Sequence, residues 1–545
     1  MCQVTADNFD RLYPEICRSV DNCCFVAFDC EFTALRPDAN QRNSLFDTIQ
    51  DRYTKLSQPP VHSIISQIGL SIFDQNVEKN TYSASTFNFY ICPRSFASID
   101  EAFVCQASSL EFLSRYKFDF NKFIYKGIPY LNQSQEDQLK EDLRNGVILN
   151  VEERNIPGQD EDRIRKICGE LAVWISNSKV GDELCIDKGQ IVSYVLHTEI
   201  RNKFSTLWTF DKEDGELWVK IVTGEERKRW ESEESGLETG DKLVDTLLGF
   251  SKLMRHVSKS GKPLVGHNCL LDLIKIYHQF FGPLPKKYNE FKDEIHKMFP
   301  VIYDTKNICF NTQKKISKIH PHLEHIFTSS NLNDLHKLLE AKDDSFNLMW
   351  KPRIVHAPGF EDYASASTPH EAGYDAYLAG FCFIRSLHLA ATVSYLDIKR
   401  MRVLAFHELL RVASEHQNHI NLARAVTHHV NLGGEEPPSG RPPLLWVTSR
   451  GGSSPLDTAL LADTFSRFAC SDIRRVSRSS AQVAVSSFRG ARDLLTKFRE
   501  HPEWRLEVYS AMRHSLAIRR TMWTCVILGS VTLASIMIRH LALRK

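Results

Sequence analysis

The sequence predicts an α/β protein with one membrane-spanning segment near its C-terminus. Short apolar runs rich in β-branched and aromatic residues alternate with stretches whose apolar residues recur at helical spacing, which indicates strands alternating with helices. A stretch without charge, residues 521–538, breaks this soluble pattern. The 545 residues are 42% hydrophobic and 25% charged, which excludes disordered, collagen-like and disulfide-scaffold proteins. The length allows roughly two to four domains of ~100–200 residues each.

The first 162 residues are predicted to hold three strands and a linker. The strands are apolar runs that cover residues 23–32, 63–73 and 87–92. Residues 131–162 are polar and acidic and contain Pro157-Gly158, so they are predicted to be a linker.

A small α/β insert is predicted over residues 156–235. Its first helix is indicated by apolar residues at helical spacing, namely Ile164, Ile167, Cys168, Leu171 and Ile175. A second helix is predicted near 189–203. A hairpin with strands at 205–210 and 216–222 follows, and a highly charged run at 225–235 ends the insert.

Helical periodicity resumes over residues 242–255, and short strands are predicted at 263–266 and 300–304. The segment Thr368-Pro369-His370-Glu371 predicts a helix start, because it offers a Thr N-cap, Pro at the first helical position and Glu three residues after the cap. This helix is predicted to continue to about His388.

The C-terminal part is predicted to be a separate βαββα domain behind a Gly/Pro linker at 433–443. Its predicted elements are a strand at 444–448, a helix at 456–468, short strands near 473–486 and a helix at 488–500.

Residues 521–538 are predicted to be a transmembrane tail anchor. At ~1.5 Å per residue, these 18 uncharged residues span roughly 27 Å, close to the hydrocarbon core of about 30 Å. Basic residues flank the segment on both sides, so the positive-inside rule does not orient it. The alternative is a buried C-terminal helix, which would need the other domains to cover every face of it.

Overall charge and cysteine usage exclude little else. The 68 Lys and Arg against 67 Asp and Glu give a net charge of +1, which argues neither for nor against nucleic acid. The 14 cysteines include no C-x-x-C pair, and no secretory signal is recognised at the N-terminus. They are therefore predicted to be reduced thiols of a cytosol-facing protein, without a zinc site.

Four acids stand in settings where a carboxylate needs a partner. Asp29 and Glu31 are two apart on a predicted apolar strand, so both leave the same face. Asp272 lies among leucines in a strand–turn–helix, and Asp375 lies in the helix predicted to open at Thr368. Buried acids are costly unless they are paired or bind a cation. The alternatives are a solvated strand end for the pair and an exposed helical stripe for Asp272.

These acids could form a hard-oxygen site suited to Mg²⁺ or Mn²⁺. Two such ions could stabilise the attacking and leaving oxygens of a phosphodiester displacement. His370 lies five residues before Asp375, and a histidine there could take the proton of an attacking water. The alternative for His370 is an exposed residue at a helix start.

Three motifs in order, FDCEF, GHNCLLDL and HEAGYDA, resemble the DEDD exonucleases of the His subtype. Segments such as SQIGLSIF, FVCQASSLEFL, FDFNKFIYKGIPYLN and FPVIYDTK narrow the resemblance to the poly(A)-specific ribonuclease branch, over most of residues 20–390. The resemblance implies an RNase H-like α/β domain that binds two Mg²⁺ ions, for which Mn²⁺ can substitute. It implies His370 as the general base and the following metal ligands: Asp29, Glu31, Asp272 and Asp375.

The same resemblance implies a pocket for the 3′-terminal nucleotides of a single-stranded RNA. The matching positions are Phe32, Leu35, Leu110, Phe112 and Lys306. Stacking on Phe tolerates any base, and a lysine steadies phosphate charge. The alternative for the apolar residues is ordinary core packing.

Two further regions are candidates for RNA binding. The branch carries a small nucleic-acid-binding domain, named for an Arg-x-x-x-His motif, where this chain has the insert. The insert holds the reverse order, from His197 to Arg201, so the motif does not predict RNA binding there. The segment 444–512 resembles an RRM-related domain, but its central strand lacks stacking aromatics. Trp446 is the one candidate stacker, and core packing is its alternative role.

The tail anchor and segments such as RPPLLWV and FRGARDLLTKFREHP resemble the membrane-tethered trimmers within this branch. That resemblance implies a 3′→5′ exoribonuclease that shortens precursors of PIWI-interacting RNAs and releases nucleoside 5′-monophosphates. It implies a PIWI-clade Argonaute that holds the precursor, a Tudor/KH-domain adaptor, a homodimer, and the mitochondrial outer membrane, with the endoplasmic reticulum as the alternative.

Two other functions stay open from the residues: a general poly(A) deadenylase, and a non-catalytic membrane-bound adaptor for RNA or protein. The predicted domains are the exonuclease at 1–155 and 236–432, the insert at 156–235, the RRM-like domain at 444–512 and the anchor at 521–538.

Overall fold

The computed structural model describes two compact units of the chain. The described residues are 2–35, 42–57, 63–96, 98–145, 158–189, 191, 193–212, 216–233, 236–319, 330–340, 350–361, 363, 369–394, 402–451 and 455–543. The first unit comprises Met1–Asp38, Thr54–Asn421 and Asn431–Gly434. The second comprises Ala39–Tyr53, Leu422–Val430 and Glu435–Lys545.

The first unit is built on one mixed sheet. Its strands and those of the insert are, in chain order, β1 (Cys2–Val4), β2 (Phe25–Phe32), β3 (Ile65–Asn76), β4 (Thr81–Tyr90), β5 (Glu183–Ile186), β6 (Leu207–Asp211), β7 (Leu217–Ile221), β8 (Leu264–Gly266), β9 (Ile302–Asp304), β10 (Arg353–His356) and β11 (His419–Asn421). Seven of these described strands form the sheet, in the order β1-β4-β3-β2-β8-β9, with β10 also paired to β4. Strands β2, β3 and β4 pair antiparallel, whereas β8 and β9 continue from β2 in parallel.

Helices cover this sheet and connect its strands. The helices described in this unit are Phe9–Asn22, Ala107–Arg115, Phe120–Lys126, Gln133–Arg144, Gly158–Asn177, Ser193–Lys203, Gly224–Glu233, Gly236–Leu248, Phe250–Ser260, Leu270–Phe280, Tyr288–Met298, Thr305–Ile319, Leu332–Glu340, Ala372–Ser394, Phe406–Ala413 and the 3₁₀ turn Ser414–His416. One further helix, Ile49–Ser57, has its residues 49–53 in the second unit. Helix Ala372–Ser394 is almost wholly buried and packs across β2, β3 and β4. Its Phe383, with Phe25 and Phe73 of the sheet, belongs to the main apolar core.

The insert has a core of its own. Strands β5, β7 and β6 form an antiparallel sheet in that order, and the helices Gly158–Asn177 and Ser193–Lys203 pack on it. The predicted hairpin is confirmed as β6 and β7, and part of its turn, residues 213–215, lies outside the described residues. The two predicted helices are confirmed, although the second begins at Ser193 rather than near 189.

Three predictions about helices are wrong in part. The region expected to be a linker contains helix Gln133–Arg144, which opens with a capping box between Asn132 and Gln135. The periodicity over 242–255 belongs to two helices, because Gly249 adopts φ 41° and separates the end of one helix from the start of the next. Such a positive φ favours glycine.

The third error concerns the helix that carries Asp375. It begins at Ala372 rather than at Pro369, and its first internal hydrogen bond runs from Asp375 N to Glu371 O at 3.0 Å. His370 has φ 65°, in the left-handed region, so it lies in a turn before the helix. The predicted N-cap, Thr368, lies outside the described residues.

The second unit contains a four-stranded antiparallel sheet. Its elements and the strand before it are β12 (His429–Asn431), β13 (Leu445–Ser449), helix Thr458–Ser466, β14 (Ser471–Arg475), β15 (Ser480–Val485), helix Phe488–Lys497, β16 (Trp504–Val508) and the helices Ala511–His514 and Leu516–Ala542. The strand order is β14-β15-β13-β16, and both earlier helices pack on one face. The predicted βαββα order is confirmed, and β16 adds a strand that was not predicted.

Helix Leu516–Ala542 contains the predicted anchor. Over Ala517–Arg539 it is long and apolar enough to cross a membrane, and its side chains are exposed. It is the one such helix among the described residues.

Candidate active site

The four acids singled out by the sequence come together at one place on the main sheet. Asp29 and Glu31 lie on β2, Asp272 lies in the first turn of helix Leu270–Phe280, and Asp375 lies in the first turn of helix Ala372–Ser394. Glu31, Asp272 and Asp375 are only 6–8% exposed. The site thus joins residues from three elements that are far apart in the sequence.

Burial raises the pKa of each of the four carboxyls, and the charge of at least one neighbouring carboxylate raises each of them further. Burial is the largest cause in every case. The pKa of Asp29 is raised further by the charges of Asp375, Asp272 and Glu31. Burial raises the pKa of Asp272 and of Asp375 to about 7. A bound cation would offset this repulsion, since an opposite charge favours ionised carboxylates.

Two of these acids are anchored by backbone groups, and one keeps a free oxygen. The Asp272 carboxylate accepts hydrogen bonds from the backbone N–H and the thiol of Cys30 on β2. Asp375 Oδ2 accepts a hydrogen bond from His370 N at 3.1 Å. Asp375 Oδ1 is buried and has no hydrogen-bond partner among the described residues. Buried acceptors without partners are rare, and an ion ligand is one explanation for such an atom.

His370 faces this cluster from the turn before the helix. Its Nδ1 lies 4.0 Å from Asp375 Oδ2. The ring packs against Phe112, edge to face with ring centroids 4.8 Å apart, and against Tyr116 at 4.2 Å. Partial burial lowers the pKa of His370, so the imidazole is neutral at physiological pH.

The donor set fits a divalent cation. One ligand atom each from Glu31, His370 and Asp375 lies within 4.8 Å of the others. Most donors here are carboxylate oxygens, the ligands that Mg²⁺ and Mn²⁺ prefer. The buried free oxygen of Asp375 points to the same chemistry.

The five predicted substrate-binding residues are only partly brought together. Leu35 and Phe112 line one cavity of about 370 Å³, together with Ser108, Ser109, Glu111 and Arg115. Phe32 is buried at the end of β2, and Leu110 is half-buried on helix Ala107–Arg115. Lys306 lies at the start of helix Thr305–Ile319. The cavity borders His370 through the Phe112 ring.

Sequence reasoning missed Asp304, a fully buried acid at the end of β9. Its carboxylate accepts hydrogen bonds from Asn268 N at 3.0 Å, Lys306 N at 2.9 Å and Asn421 N at 3.0 Å. Asp304 thereby holds the chain just before the helix that carries Asp272. Only the isolated acid in the apolar segment PVIYD could have signalled it.

Sequence reasoning also missed Tyr116, whose ring packs on His370. It follows helix Ala107–Arg115 and is 39% exposed. No periodicity or spacing in the sequence links Tyr116 to a histidine about 250 residues later. This contact arises from the tertiary fold alone.

His197 and Arg201, the ends of the reversed motif, both make contacts within the insert itself. His197 Nδ1 lies 2.6 Å from Thr209 Oγ1, and His197 Nε2 lies 3.1 Å from Asp211 Oδ2. Arg201 Nε donates to Thr209 Oγ1 at 2.8 Å, and its guanidinium stacks 3.7 Å from the Trp208 ring centroid. These two residues hold a helix to β6.

Trp446 is not an open stacking platform. It lies on the face of the four-stranded sheet opposite the helices and is only 7% exposed. The His514 ring stacks on it with centroids 5.0 Å apart and an interplanar angle of 21°. His514 Nε2 in turn lies 3.0 Å from Glu507 Oε1. The segment just before the apolar helix therefore covers Trp446.

A model of the CAF1 family of ribonucleases matches residues 4–383. This range contains all four acids, His370 and the cavity. The chain belongs to the CAF1 ribonuclease family and is a 3′→5′ exoribonuclease.

Curated relatives cover nearly the whole chain. It is 32% identical to the mouse (Mus musculus) protein named poly(A)-specific ribonuclease PNLDC1, over 96% of this chain and 97% of that one. It is 30% identical to the silkworm (Bombyx mori) pre-piRNA 3′-exonuclease trimmer, over 97% of each chain. It is also 30% identical to the zebrafish (Danio rerio) poly(A)-specific ribonuclease PARN, over 93% of this chain and 77% of that one.

Proposed function

We propose that this exoribonuclease trims the 3′ ends of precursors of PIWI-interacting RNAs, with Mg²⁺ bound at the four-acid cluster and a C-terminal helix that tethers it to a membrane. The observation that carries the proposal is the cluster of Asp29, Glu31, Asp272 and Asp375 with His370 beside it. The named function of the silkworm relative supports the choice of substrate.

The four carboxylates would hold two divalent ions, Mg²⁺ or Mn²⁺. When bound, such ions act as Lewis acids on the reacting phosphate and stabilise its developing negative charge. The protein supplies the ligands on rigid elements: a central strand for Asp29 and Glu31, and two helix starts for Asp272 and Asp375.

His370 would act as the general base. Its imidazole is neutral because partial burial lowers its pKa, so it can accept the proton of the attacking water. Contacts with Phe112 and Tyr116 fix the ring beside Asp375. Water attacks the last phosphodiester, the bond from phosphorus to the 3′ oxygen breaks, and that oxygen takes up a proton. The product is a nucleoside 5′-monophosphate.

The cavity next to His370 would receive the terminal nucleotide. Leu35 and Phe112 offer apolar surface for a base, which suits substrates of any sequence. We propose that Phe32 and Leu110 complete this apolar surface and that Lys306 contacts a backbone phosphate. Because the proposed pocket contacts the ribose of the last nucleotide, an RNA with a 2′-O-methyl end should be a poor substrate.

The exposed apolar helix is proposed to be a tail anchor for a cytosol-facing enzyme. A short apolar span followed by a basic tail suits the mitochondrial outer membrane, and the endoplasmic reticulum is the alternative because its thin bilayer would accept the same helix. A PIWI-clade Argonaute and a Tudor/KH-domain adaptor are the proposed partners, and a homodimer is the proposed assembly.

The domain plan is also proposed. The exonuclease domain comprises 1–155 and 236–432, and the insert, 156–235, has its own core. The strand order and the helices on one face support an RRM-like domain at 444–512. Because His514 covers Trp446, and because His197 and Arg201 are turned inward, we propose that neither small domain binds RNA through these residues.

A general poly(A) deadenylase is the second candidate function. The observation that favours it is that the mouse and zebrafish relatives are both named poly(A)-specific ribonucleases. The two candidates share the site and differ in the sequence of the substrate.

The test compares single-stranded RNAs with full-length protein in detergent. A mixed-sequence RNA with a free 2′,3′-diol should be shortened one nucleotide at a time with Mg²⁺ and left intact with EDTA. The same RNA with a 2′-O-methyl end should resist. Oligo(A) should be degraded no faster than the mixed sequence; a strong preference for oligo(A) would favour the deadenylase. An Asp29→Asn protein, purified in parallel, controls for contaminating nucleases.

A further inference from the structure

The helix that carries Asp375 begins on two buried amide side chains of the sheet. Ala372 N donates to Gln67 Oε1 at 3.0 Å, and Gly373 N donates to Asn88 Oδ1 at 3.1 Å. The first N–H groups of a helix have no partner inside it, and the residue just before the helix commonly caps them. Here the acceptors come from β3 and β4, about 300 residues earlier in the chain.

Both amides are buried, and they lie on the face of the sheet that carries Asp29 and Glu31. Gln67 and Asn88 are 2% and 0% exposed. In the sheet, Gln67 pairs with Glu31, and residues directly opposite on neighbouring strands point to the same face. Asn88 pairs with Gly69, which in turn pairs with Asp29. The amides therefore occupy the same face and the same end of the sheet as the acids.

The helix start also lies directly on the backbone of β3. A Cβ atom at Gly69 would lie 2.0 Å from Ala372 O, so no larger residue fits beneath the helix. Gln67 is itself fixed by a hydrogen bond to the Tyr90 hydroxyl. The position of the first helical turn on the sheet is thus set by side-chain acceptors and by contact at a glycine.

We propose that Gln67 and Asn88 are positioning residues for the metal site: they fix the helix start so that Asp375 faces Glu31 and Asp29. Asp375 follows Ala372 by three residues, about one helical turn, so a shift of the helix start displaces its carboxylate. The inference rests on the proposed metal role of the four acids. Groups that orient metal ligands in this way typically contribute about 10- to 100-fold to metal affinity or activity.

Gln75 provides a matched control on the same strand. Its Oε1 accepts a hydrogen bond from Phe406 N at 2.7 Å, at the start of helix Phe406–Ala413, and its Nε2 donates to Leu404 O at 2.9 Å. Gln75→Met thus removes an amide that caps a different helix from the same strand, without touching the helix of Asp375. It separates loss of stability from loss of positioning.

Asn88→Asp provides the conservative variant. It keeps an acceptor for Gly373 N, and a carboxylate at a helix N-terminus is favoured by the helix dipole. The Asn88 amide nitrogen has no hydrogen-bond partner among the described residues, so no bond is lost with it. Asn88→Leu, by contrast, removes the acceptor and keeps a similar volume.

The experiment titrates full-length protein in detergent with Mn²⁺, without RNA, and follows free Mn²⁺ by electron paramagnetic resonance. Gln67→Met and Asn88→Leu should bind Mn²⁺ about 10- to 100-fold more weakly than wild type, whereas Gln75→Met should bind it as wild type does. Asn88→Asp should bind it at least as tightly as wild type, because it keeps the acceptor and adds a negative charge beside the acid cluster. In parallel RNA assays, the two weak binders should show a lower kcat with an unchanged KM. Gln75→Met should lower the melting temperature only.

Unchanged Mn²⁺ affinity in Gln67→Met and Asn88→Leu would overturn the positioning role. A wild-type protein that binds no Mn²⁺ would instead overturn the proposed metal site, so the two failures are distinguishable. Thermal melts accompany each titration. If Gln67→Met or Asn88→Leu does not melt cooperatively, it is replaced by Gln67→Ala or Asn88→Ala, which add no bulk. The Mn²⁺ affinity of the replacement is then compared with that of wild type in the same way.

Discussion

Two His–Asp pairs in the first unit show how a structural pair differs from a candidate catalytic pair. In the insert, His197 contacts Thr209 with one ring nitrogen and Asp211 with the other, at 2.6 and 3.1 Å. At the main sheet, the nearest ring nitrogen of His370 lies 4.0 Å from Asp375. In the first pair, both ring nitrogens of His197 make close contacts. In the second, His370 binds Asp375 through its backbone N–H, and its ring faces the acid cluster.

The carboxyls of the two pairs are perturbed in opposite directions. Burial raises the pKa of Asp211, but hydrogen bonds with His197 and Ser193 and the charges of His197 and Lys188 together outweigh it, so the net pKa is lowered. Burial raises the pKa of Asp375 to about 7, and the His370 N–H opposes this only in part. A structural pair satisfies its own charge, whereas the catalytic candidate stays unsatisfied until something else binds.

The largest expected effect comes from removing the acids. Asp29→Ala, Glu31→Ala, Asp272→Ala and Asp375→Ala should each abolish hydrolysis, by well over the ~10²–10³-fold typical for loss of one stabilising group. Each removes an ion ligand that no other side chain replaces. Asp211→Ala should keep activity. The measurement is release of nucleotides from labelled RNA under saturating Mg²⁺, and retained activity in any two of the four variants contradicts the assignment.

Replacing the two histidines sharpens the comparison. His370→Ala should lower kcat by roughly 10²–10⁴, the usual contribution of a positioned general base, and the loss should shrink at higher pH as hydroxide becomes available. His197→Ala should lower the melting temperature and leave kcat within the wild-type range. An unchanged rate for His370→Ala at neutral pH would reduce it to a turn residue.

The individual acids could be predicted from the sequence because each interrupts an apolar segment. Asp29 and Glu31 stand in an apolar strand, and Asp272 stands among leucines, so an elementary burial argument finds them. The strands β2, β3, β8 and β9 were predicted for the same reason, since buried strands are apolar runs. Only the end of β4 was predicted, at 87–92, because the strand begins at Thr81 in a less apolar segment.

The contacts that arrange the acids could not be predicted in this way. The helix of Asp375 was expected to start on a local cap, but its N–H groups are held by Gln67 and Asn88 of distant strands. Asp304 similarly holds the chain before the helix of Asp272. Strands β1 and β10 are short and pair along the edge of β4, so pairing rather than composition defines them. Helix Gln133–Arg144 did carry a local signal, its capping box, which its polar composition concealed.

A smaller effect is expected on stability. The pKa of Asp272 and of Asp375 is 3.8 in its ordinary state and is raised to about 7 in the folded protein. In EDTA, between about pH 4 and 7, the folded protein therefore keeps protons on these carboxyls that the unfolded chain has already released. Folding stability should therefore fall as pH rises through this window and level off above it. Each pKa unit corresponds to about 1.4 kcal/mol.

Thermal melts between pH 5 and 8, with EDTA or with Mg²⁺, check this expectation. Mg²⁺ should restore stability at pH 8 and change little at pH 5, where the carboxyls are protonated. Asp272→Asn should raise the melting temperature in EDTA at pH 8, because it removes one repelling charge. Asp211→Asn should lower it, because it breaks a satisfied pair. A wild-type melting temperature in EDTA that rises from pH 5 to 8 would contradict the repulsion.

The smallest effect on catalysis is expected from removing the anchor. All four acids lie before residue 390, in the first unit, whereas the apolar helix Leu516–Ala542 belongs to the second. The truncation should follow Ser515, so that His514 stays stacked on Trp446 and the four-stranded sheet keeps its cover.

Activity of the truncated protein on naked RNA in solution should persist, and the protein should move from the membrane to the soluble fraction. Trimming in cells should fall, because tethering raises the local concentration of enzyme near a membrane-held substrate without any new contact. Fractionation after an alkaline wash decides: truncated protein that still pellets with membranes would show that residues 521–538 are not the anchor.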